Sequence, residues 1–459
     1  MEHSPAQFKE IAARNAGDEQ LRKVVRKATT HSLTKRAEVV AEIPDWEEIR
    51  QHGHDIRQHA IENLDTYLEQ LEKNLVSNGV EVLWAQNATD ACNLVENVLS
   101  GENAKRIVKS KSMVTEEIGL NHFLEAKGFE SIETDLGEYI VQLAGETPSH
   151  ITAPALHKSK EDIGRLFAEK LNIPYTSDPS ELTKHARSLL REKFLQADAG
   201  VSGANFLIAE SGTILIVENE GNACLVTSLP KTHIVITGIE KVVPTLQDAG
   251  IILKLLPRSA TGQRITSYVT LINSSRKKDD LDGPERVVVI LLDNGRSEIL
   301  QSPEMRESLF CIRCGACMNV CPVYQSVGGH AYGSTYPGPI GAVVTPLMTS
   351  LAESKDLPFA SSLCGACSEI CPVKIDIHHM LLWLRARAVK QNLGAFSERL
   401  LIKLWRIGMS SPILYKFGSK IMRILFKKSM KIPIWSDNRE IPALAPKSFR
   451  ELWKQRKLQ

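Results

Sequence analysis

The feature that most restricts the fold is a crowded set of cysteines in the last third of the chain. Seven of the nine cysteines lie between positions 311 and 371. A disulfide framework would spread its cysteines over the regions that it joins, whereas such crowding is typical of a metal site. The other two, Cys92 and Cys224, stand alone in largely apolar surroundings, and we expect both to be buried in the core.

The first cysteine run, CIRCGACMNVCP (311–322), has the spacing C-x2-C-x2-C-x3-C-P. In bacterial ferredoxins, three cysteines of such a run hold one [4Fe–4S] cluster and the fourth reaches a second cluster. Gly315 would let the backbone approach the cluster, and Pro322 suits the first turn of a helix. Zinc commonly takes two C-x2-C pairs and gives no reason for this pattern, so the run predicts iron–sulfur binding.

The second run, CGACSEICP (364–372), has only three cysteines, and Ser361 stands where the first cysteine would be. In the crossed arrangement of ferredoxins, the last cysteine of this run completes the first cluster. The predicted ligand sets are Cys311, Cys314, Cys317 and Cys371 for one cluster, and Cys321, Cys364 and Cys367 for the other. The open corner would be taken by Ser361, by a solvent or substrate oxygen, or by no iron, which would give [3Fe–4S].

Upstream of the cysteines, the residues from about 79 onward alternate between strand-like and helix-like patterns, which predicts a mostly parallel sheet covered by helices on both faces. Residues 203–245 are richer in strand patterns, with a turn at 209–213 (AESGT). The expected elements are strands at 79–85, 105–110 and 284–296, a helix after Thr89 as its cap, a helix over 116–130 closing near Gly128, and a strand and turn over 131–143.

The N-terminal 75 residues are predicted to be helical, because Ile49, Ile56, Ile61, Leu64 and further leucines form one apolar stripe at helical spacing. The N-terminus has no apolar signal-peptide region, and no run of 18 apolar residues exists to span a membrane. We therefore expect a cytoplasmic location.

The chain ends in a basic tail. The residues after Met380 carry 18 Lys and Arg against 4 Asp and Glu, whereas the whole chain has a net charge of +2. The tail mixes these cations with Leu, Ile, Trp and Phe, so it could dock on the acidic body or an acidic partner, lie at a membrane surface, or be solvated. Prolines in the tail make membrane contact peripheral at most, and no nucleic-acid-binding motif accompanies the charge.

The chain resembles the lactate utilization protein B family over nearly its whole length. The resemblance rests on KSKSMVTEEIGLNHFLE, ETDLGEYIVQLAGETPSHITAPALH, GANFLIAESGTILIVENEGN, SLPKTHIVITGIEKVVP and CIRCGACMNVCPVYQSVGGHAYGSTYPGPIGAV. It implies an α/β LUD domain, similar to sugar-phosphate isomerases and CoA-transferases, followed by a helical ferredoxin-type two-cluster module and a basic extension. It also implies two [4Fe–4S] clusters on the seven cysteines, and two partner proteins in the conversion of L-lactate to pyruvate.

The expected division is an N-terminal helical region (1–75), the LUD domain (76–300), the two-cluster module (301–385) and the basic extension (386–459). Acidic residues and one histidine of the LUD region could line a pocket at strand ends, where open α/β sheets bind ligands. These candidates are Glu116, Glu117, Asp135, Glu138, His150, Glu210 and Glu218. Glu210 would be the catalytic carboxylate if the CoA-transferase analogy held, although a plain turn is favoured there.

Two further features are a segment rich in glycine and proline and a pair of adjacent histidines. The glycine- and proline-rich segment 328–346 is expected to be a loop that shields the clusters or contacts a partner. His378 and His379 are expected to be surface residues that point apart on a helix. No G-x-G-x-x-G motif or Walker loop follows a strand, so nucleotide binding is not supported.

These observations favour an iron–sulfur electron-transfer subunit of a lactate-oxidising complex, with an unknown electron acceptor. The alternative is a catalytic 2-hydroxy-acid oxidoreductase subunit that uses an open iron of the second cluster. A scaffold with vestigial clusters is the third hypothesis.

Overall fold

The computed structural model describes residues 4–151, 153–425 and 445–456. The chain forms two compact units, Met1–Gln391 and Asn392–Gln459. Within the described residues, no helix is long and apolar enough to cross a membrane.

Four helices open the first unit, as the apolar stripe predicts. Ile56, Ile61, Leu64 and Leu71 are all buried, which confirms that this face packs inward. The helices are α1 (Phe8–Gly17), α2 (Glu19–Ala41), α3 (Trp46–Glu62) and α4 (Leu64–Ser77).

Strands and helices then alternate, and the strands form one six-stranded sheet in which every pair is parallel. Its order is β1-β10-β7-β4-β2-β3. The elements in chain order are β1 (Glu81–Ala85), α5 (Ala88–Gly101), β2 (Arg106–Lys109), α6 (Met113–Glu117), α7 (Leu120–Ala126), β3 (Glu130–Glu133), α8 (Leu136–Ala144), α9 (Lys160–Leu171), α10 (Pro179–Leu195), β4 (Ala199–Ser202), β5 (Phe206–Ile208), β6 (Thr213–Glu218), α11 (Asn222–Ser228), β7 (Thr232–Gly238), β8 (Val242–Val243), α12 (Leu246–Ala260), β9 (Tyr268–Ile272) and β10 (Arg286–Leu292).

Helices cover both faces of this sheet, as predicted. Successive residues of a strand point to opposite faces, and Ile107 and Val108 of β2 belong to different buried clusters. Ile107 packs with α5 and α7, while Val108 packs with Phe194 of α10 and Val226 of α11. The strand-rich segment forms a second sheet of order β8-β5-β6-β9. The turn predicted at 209–213 joins the antiparallel strands β5 and β6.

Short helices and loops carry the cysteines. They are α13 (Arg296–Gln301), α14 (Ala316–Val320), α15 (Pro322–Val327), α16 (Gly338–Met348), α17 (Ala366–Glu369) and α18 (Ile377–Lys390), with short 3-10 turns at Arg306–Phe310 and His330–Tyr332. Pro322 is the first residue of α15, as expected. The second half of segment 328–346 is helix α16 and not a loop, because its prolines fall near the two helix ends.

Three further secondary-structure predictions are wrong. Asn87, not Thr89, caps α5 by accepting the N–H of Asp90. Gly119, with φ of 66°, breaks the single predicted helix into α6 and α7. The turn expected after β3 is helix α8, because the carboxylate of Asp135 caps it by accepting the N–H of Glu138.

The second unit contains α19 (Phe396–Ser410), α20 (Pro412–Leu425) and α21 (Phe449–Arg456). Apolar side chains of α19 and α20, such as Trp405 and Phe417, are exposed. Residues 426–444 of the predicted basic tail lie outside the described residues.

Candidate metal centre and adjoining cavity

Four cysteines from the two runs surround one small cavity. Its walls include Cys311, Cys314 and Cys317 of the first run, Cys371 of the second run, and apolar side chains such as Ile340 and Val373. Burial raises the pKa of Cys317, and the neighbouring thiols of Cys311 and Cys314 raise it further. Burial likewise raises the pKa of Cys371 to about 12, with Cys311 among its neighbours. The fold therefore brings these four thiols together across a gap of about fifty residues.

The remaining three cysteines form a second group. Burial raises the pKa of Cys367 to about 11, and the thiols of Cys321 and Cys364 add to this increase. Cys321 and Cys367 are buried, whereas Cys364 is exposed. The second group thus lies closer to solvent than the first.

Backbone N–H groups point at the sulfurs of both groups. Cys314 accepts from Ala316, Cys317 from Ile340, Cys321 from Val323 and Tyr324, and Cys371 from Val373 and Ile375. These bonds favour the thiolate, yet burial still raises the pKa of each of these four sulfurs, because a buried negative charge is costly. The positively charged iron–sulfide core of a cluster would bind the thiolates and offset much of that cost, so the donor set fits an iron–sulfur cofactor.

The spacing of the sulfurs argues against a single zinc ion. Zinc–sulfur bonds of about 2.3 Å place the sulfurs of a tetrahedral site about 3.8 Å apart. Among the described residues, which include all seven cysteines, only Asp376, His378 and His379 form a group of three whose ligand atoms lie within 4.8 Å of one another. No three cysteine sulfurs among the described residues lie within 4.8 Å of one another, a wider spread than a single zinc ion needs.

The same three residues correct the interpretation of the histidine pair. The rings of His378 and His379 lie 4.2 Å apart instead of pointing away from each other. The carboxylate of Asp376, at the start of α18, pairs with Nδ1 of both rings at 3.1 and 2.6 Å. His379 is exposed, as predicted, but His378 is half-buried and its Nδ1 also contacts the Ser368 hydroxyl.

Two serines lie beside the short cysteine run. The hydroxyl of Ser361 accepts the N–H of Leu363 at 3.1 Å. The Cys364 thiol instead hydrogen-bonds to Ser362, and this bond together with the N–H of Ala366 lowers its pKa. Ser362, which the sequence did not single out, is therefore the serine whose side chain contacts the second group.

Arginines of the N-terminal helices bind the backbone next to the cysteines. Arg57, which is 1% exposed, donates to the carbonyls of Leu309 and Phe310, directly before Cys311. Arg50 donates through Nη2 to the carbonyl of Cys371 at 2.6 Å and through Nε to the same oxygen at 3.1 Å. These arginines were not among the predicted site residues, although Arg50 and Arg57 lie seven residues apart on the apolar face of α3, where a charged residue needs a buried partner.

The segment 328–337 packs tightly against the LUD region and the N-terminal region, and its Tyr332 lies near Cys321 and Cys317. A Cβ on Gly329 would collide with the carbonyl of Ser149, and one on Gly333 would collide with the backbone of Ser4. Tyr332 is fully buried against Phe8 of α1, and its hydroxyl has no hydrogen-bond partner within the described part of the chain. The segment is therefore closely packed, while its role in shielding the clusters stays a prediction.

The LUD residues predicted to share a pocket are divided between several places. Asp135 and Glu218 line a large cavity, whereas Glu116 and His150 line a smaller one beside His330. Glu138 is buried, and its pKa is raised by burial and by Glu133. Glu210 is exposed on its turn, where it accepts the N–H of Leu246.

Glu117 belongs to a buried charge network that joins the LUD region to the cysteine loops. Both of its carboxylate oxygens accept from Arg296 at 2.9 Å, and Tyr336 donates to Oε2 at 2.5 Å. Arg296 also donates to Glu240 at 2.5 Å. The Arg313 guanidinium lies 4.2 Å from the centre of the Tyr336 ring and 3.8 Å from Glu240. Only the fold could reveal this network, because its members are far apart in sequence.

The large cavity has a volume of about 290 Å³ and lies at the carboxyl ends of the parallel strands. Ser110 follows β2, Asp135 follows β3, Gly203 follows β4 and Lys241 follows β7, which is the edge where such sheets bind ligands. Arg313 and Tyr336 of the cysteine module close its other side. Lys241 and Arg313 were not among the predicted site residues.

Comparison with family models divides the chain into three matches. Residues 68–292 match the LUD domain, residues 307–375 match a 4Fe-4S dicluster domain, and residues 386–458 match the C-terminal region of lactate utilisation protein B. The α/β part is therefore a LUD domain that precedes a ferredoxin-type iron–sulfur region.

Several curated proteins are similar over their whole length. Lactate utilization protein B of Geobacillus sp. (strain WCH70) is 48% identical over 98% of this chain and 97% of its own. The same-named protein of Bacillus velezensis is 47% identical over 100% of this chain and 99% of its own. Lactate utilization protein B 2 of Bacillus mycoides is 47% identical over 100% of this chain and 98% of its own.

Among solved structures, a DUF162 family protein from Deinococcus radiodurans covers 50% of this chain and 98% of its own, with 14% identity and a TM-score of 0.29. That value is too low to compare the two folds in detail. The full-length similarity to the curated relatives identifies this chain as a member of the lactate utilization protein B family.

Proposed function

We propose that this chain is the iron–sulfur electron-transfer subunit of a multi-protein complex that oxidises L-lactate to pyruvate and allows growth on lactate. The observation that carries the proposal is that the seven cysteines form two groups, and that each group contains cysteines from both the first run (311–322) and the second run (364–372). Family membership supports the lactate role. When bound, two clusters would supply one-electron carriers for the two electrons that lactate oxidation releases.

The proposed ligand sets follow the two groups of thiols. Cys311, Cys314, Cys317 and Cys371 would hold a [4Fe–4S] cluster, and Cys321, Cys364 and Cys367 would hold the second. The second is proposed as [4Fe–4S] with a non-cysteine fourth ligand, or as [3Fe–4S]. Ser362 joins Ser361 as a candidate for that corner, because its hydroxyl contacts Cys364.

The proposed route for electrons runs from the buried group to the exposed one. Cys364 is the exposed member of the second group, so a redox partner could approach it closely. Tyr332 lies near Cys321 of one group and Cys317 of the other, which supports a short separation between them. We propose two other lactate utilization proteins as the partners, in the cytoplasm.

The hydroxyl of Tyr332 is a candidate donor to a cluster-bound sulfur. It is buried and has no partner among the described residues, and such donors raise the reduction potential of a cluster. Tyr332→Phe is expected to lower one cluster potential by roughly 40 mV, which corresponds to about 1 kcal/mol for one electron. Redox titration followed by electron paramagnetic resonance would measure this change. The nearby Tyr324→Phe is the control, because the Tyr324 hydroxyl already donates to the carbonyl of Ser149. Equal potentials in Tyr332→Phe and wild type would rule out this donor.

The function itself is tested by adding L-lactate without air to the holoprotein, alone and together with its two partners. Loss of visible iron–sulfur absorbance is expected only when the partners are present. Cys314→Ala should abolish the transfer, whereas a scaffold with vestigial clusters would keep it. Strong lactate oxidation by the isolated chain would contradict the carrier role and favour the catalytic alternative, which the three-cysteine second group motivates.

The division into 1–75, 76–300, 301–385 and 386–459 is retained as a proposal. The matched ranges of the three family models support it, since each of them begins within about ten residues of a proposed boundary.

A further inference from the structure

The large cavity between the LUD sheet and the cysteine loops is lined, among the described residues, by three cations, Lys111, Lys241 and Arg313. Lys241 and Arg313 are the two that adjoin the cysteine loops, and both have hydrogen-bonding capacity that is unused by the residues that the structure describes. Lys241 follows β7 and is 6% exposed. Among the described residues, its ammonium group has no hydrogen bond or ion pair. A buried cation that contacts no anion is costly. Burial lowers the pKa of Lys241 to about 8, although the nearby Glu240 carboxylate offsets part of that decrease. The cavity side of Lys241 is therefore suited to an anion.

Arg313 of the cysteine module supplies the second cation. Its guanidinium stacks on Tyr336 and lies 3.8 Å from Glu240, but its buried Nη1 has no hydrogen-bond partner in the described part of the chain. Arg296 holds Oε2 of Glu240 at 2.5 Å. Oε1 lies 3.8 Å from Arg313, which is too far for a hydrogen bond, and it has no hydrogen-bond partner among the described residues. Arg313 therefore keeps free donors. A planar anion such as a carboxylate fits a guanidinium donor pair well.

The acidic side chains of the cavity, in contrast, are already occupied. Both oxygens of Glu218 accept backbone N–H groups at the start of α11, at 2.8 and 2.7 Å. Asp135 caps α8, and Glu220 accepts the N–H of Leu136 at 3.1 Å. Lys111 lies near Glu220 and offsets part of the negative charge at this end of the cavity. Lys241 and Arg313 are left for one small anionic group.

A polar side chain, Asn205, lines the same cavity as these two cations. Asn205 accepts the N–H of Val217 through Oδ1 at 2.8 Å, which leaves its NH2 group available to a ligand in the cavity. Ser110 and Ser112 also line the cavity. Amide and hydroxyl donors of this kind could bind a hydroxyl or oxo oxygen next to a carboxylate.

We propose that this cavity binds a small 2-hydroxy or 2-oxo monocarboxylate, with its carboxylate between Lys241 and Arg313. The carboxylate class follows from the cavity, and the choice of a 2-hydroxy or 2-oxo acid rests on the proposed function. Ile151, Ile312 and Arg313 line both this cavity and the one among the first cysteine group. The ligand would therefore lie beside the buried cysteine group and not beside the three-cysteine group.

The test is calorimetric titration of the holoprotein alone with L-lactate, pyruvate and inorganic phosphate. Lys241→Met removes the charge and keeps an unbranched side chain, so we expect at least tenfold weaker binding of both acids. Lys254→Met is the matched control, because Lys254 is exposed on α12 outside the cavity, and it should bind as wild type does. Asn205→Asp keeps the acceptor for Val217 but adds a negative charge, and it should also weaken binding. Iron content and visible spectrum report whether each variant folds.

Binding by Lys241→Met and Asn205→Asp equal to wild type would overturn the proposal. So would the absence of measurable binding of either acid to wild type, or phosphate binding as tight as lactate binding. Failure of this binding proposal can be distinguished from failure of the proposed function. The clusters can still be reduced by lactate when the partners are present, even if the isolated chain binds no acid. Conversely, binding can be intact in a chain that receives no electrons.

Discussion

Replacing Cys371 with alanine is expected to remove the buried cluster and to leave the second cluster in place, although Cys371 belongs to the second cysteine run. The physical reason is that its thiol lies with Cys311, Cys314 and Cys317 around one cavity. Iron per chain should fall by about four atoms, from about eight if the second cluster is [4Fe–4S] or from about seven if it is [3Fe–4S]. Iron and acid-labile sulfide analysis of protein prepared without air would measure this loss, and resonance spectra would identify the cluster that remains.

Two further cysteine variants show whether the iron loss is specific to the buried cluster. Cys364→Ala should remove the exposed cluster instead, because Cys364 groups with Cys321 and Cys367. Cys224→Ser should change neither cluster, since Cys224 is exposed and outside both groups. If Cys371→Ala and Cys364→Ala lost the same cluster, each run would hold its own cluster and the crossed assignment would be wrong.

Replacing Arg57 with methionine is expected to destabilise the first unit strongly and to accelerate iron loss. Arg57 donates to four buried carbonyls, and methionine keeps much of its length but none of its donors. The acceptors are the carbonyls of Glu240, Val242, Leu309 and Phe310. Leaving them without a donor should cost about 3–5 kcal/mol. Urea unfolding followed by circular dichroism, and iron release to a chelator, would detect the two effects.

Arg26→Met is the control for Arg57, because Arg26 is an exposed arginine on α2. It should leave both the unfolding midpoint and the rate of iron release near those of wild type. An Arg57→Met protein with wild-type values would mean that α3 does not fasten the segment before Cys311.

Cysteine spacing was the most informative local signal. A C-x2-C-x2-C-x3-C-P run folds around its cofactor with few other requirements, so the run alone identified an iron–sulfur region, and the dicluster family match agrees. Repeating strand and helix patterns likewise predicted the parallel sheet, because burial on both faces leaves a nearly continuous apolar strand.

Local sequence patterns did not predict which face of a short helix is buried. Cys224 was expected in the core, but α11 buries Ala223, Val226 and Thr227, and the cysteine between them points to solvent. The short helix has one buried face, and an apolar neighbourhood in sequence does not tell which residues lie on it.

The sequence by itself determined the cofactor chemistry and the α/β class, since both depend on short-range spacing and periodicity. Only the tertiary structure decided what surrounds the cysteines: the arginines of α3, the buried Tyr332 hydroxyl and the cavity with Lys241 and Arg313. Arg57 and Phe310 lie 253 positions apart in the chain. Contacts at such separations leave no local pattern, because only the packing of the helices, the sheet and the cysteine loops brings their atoms together.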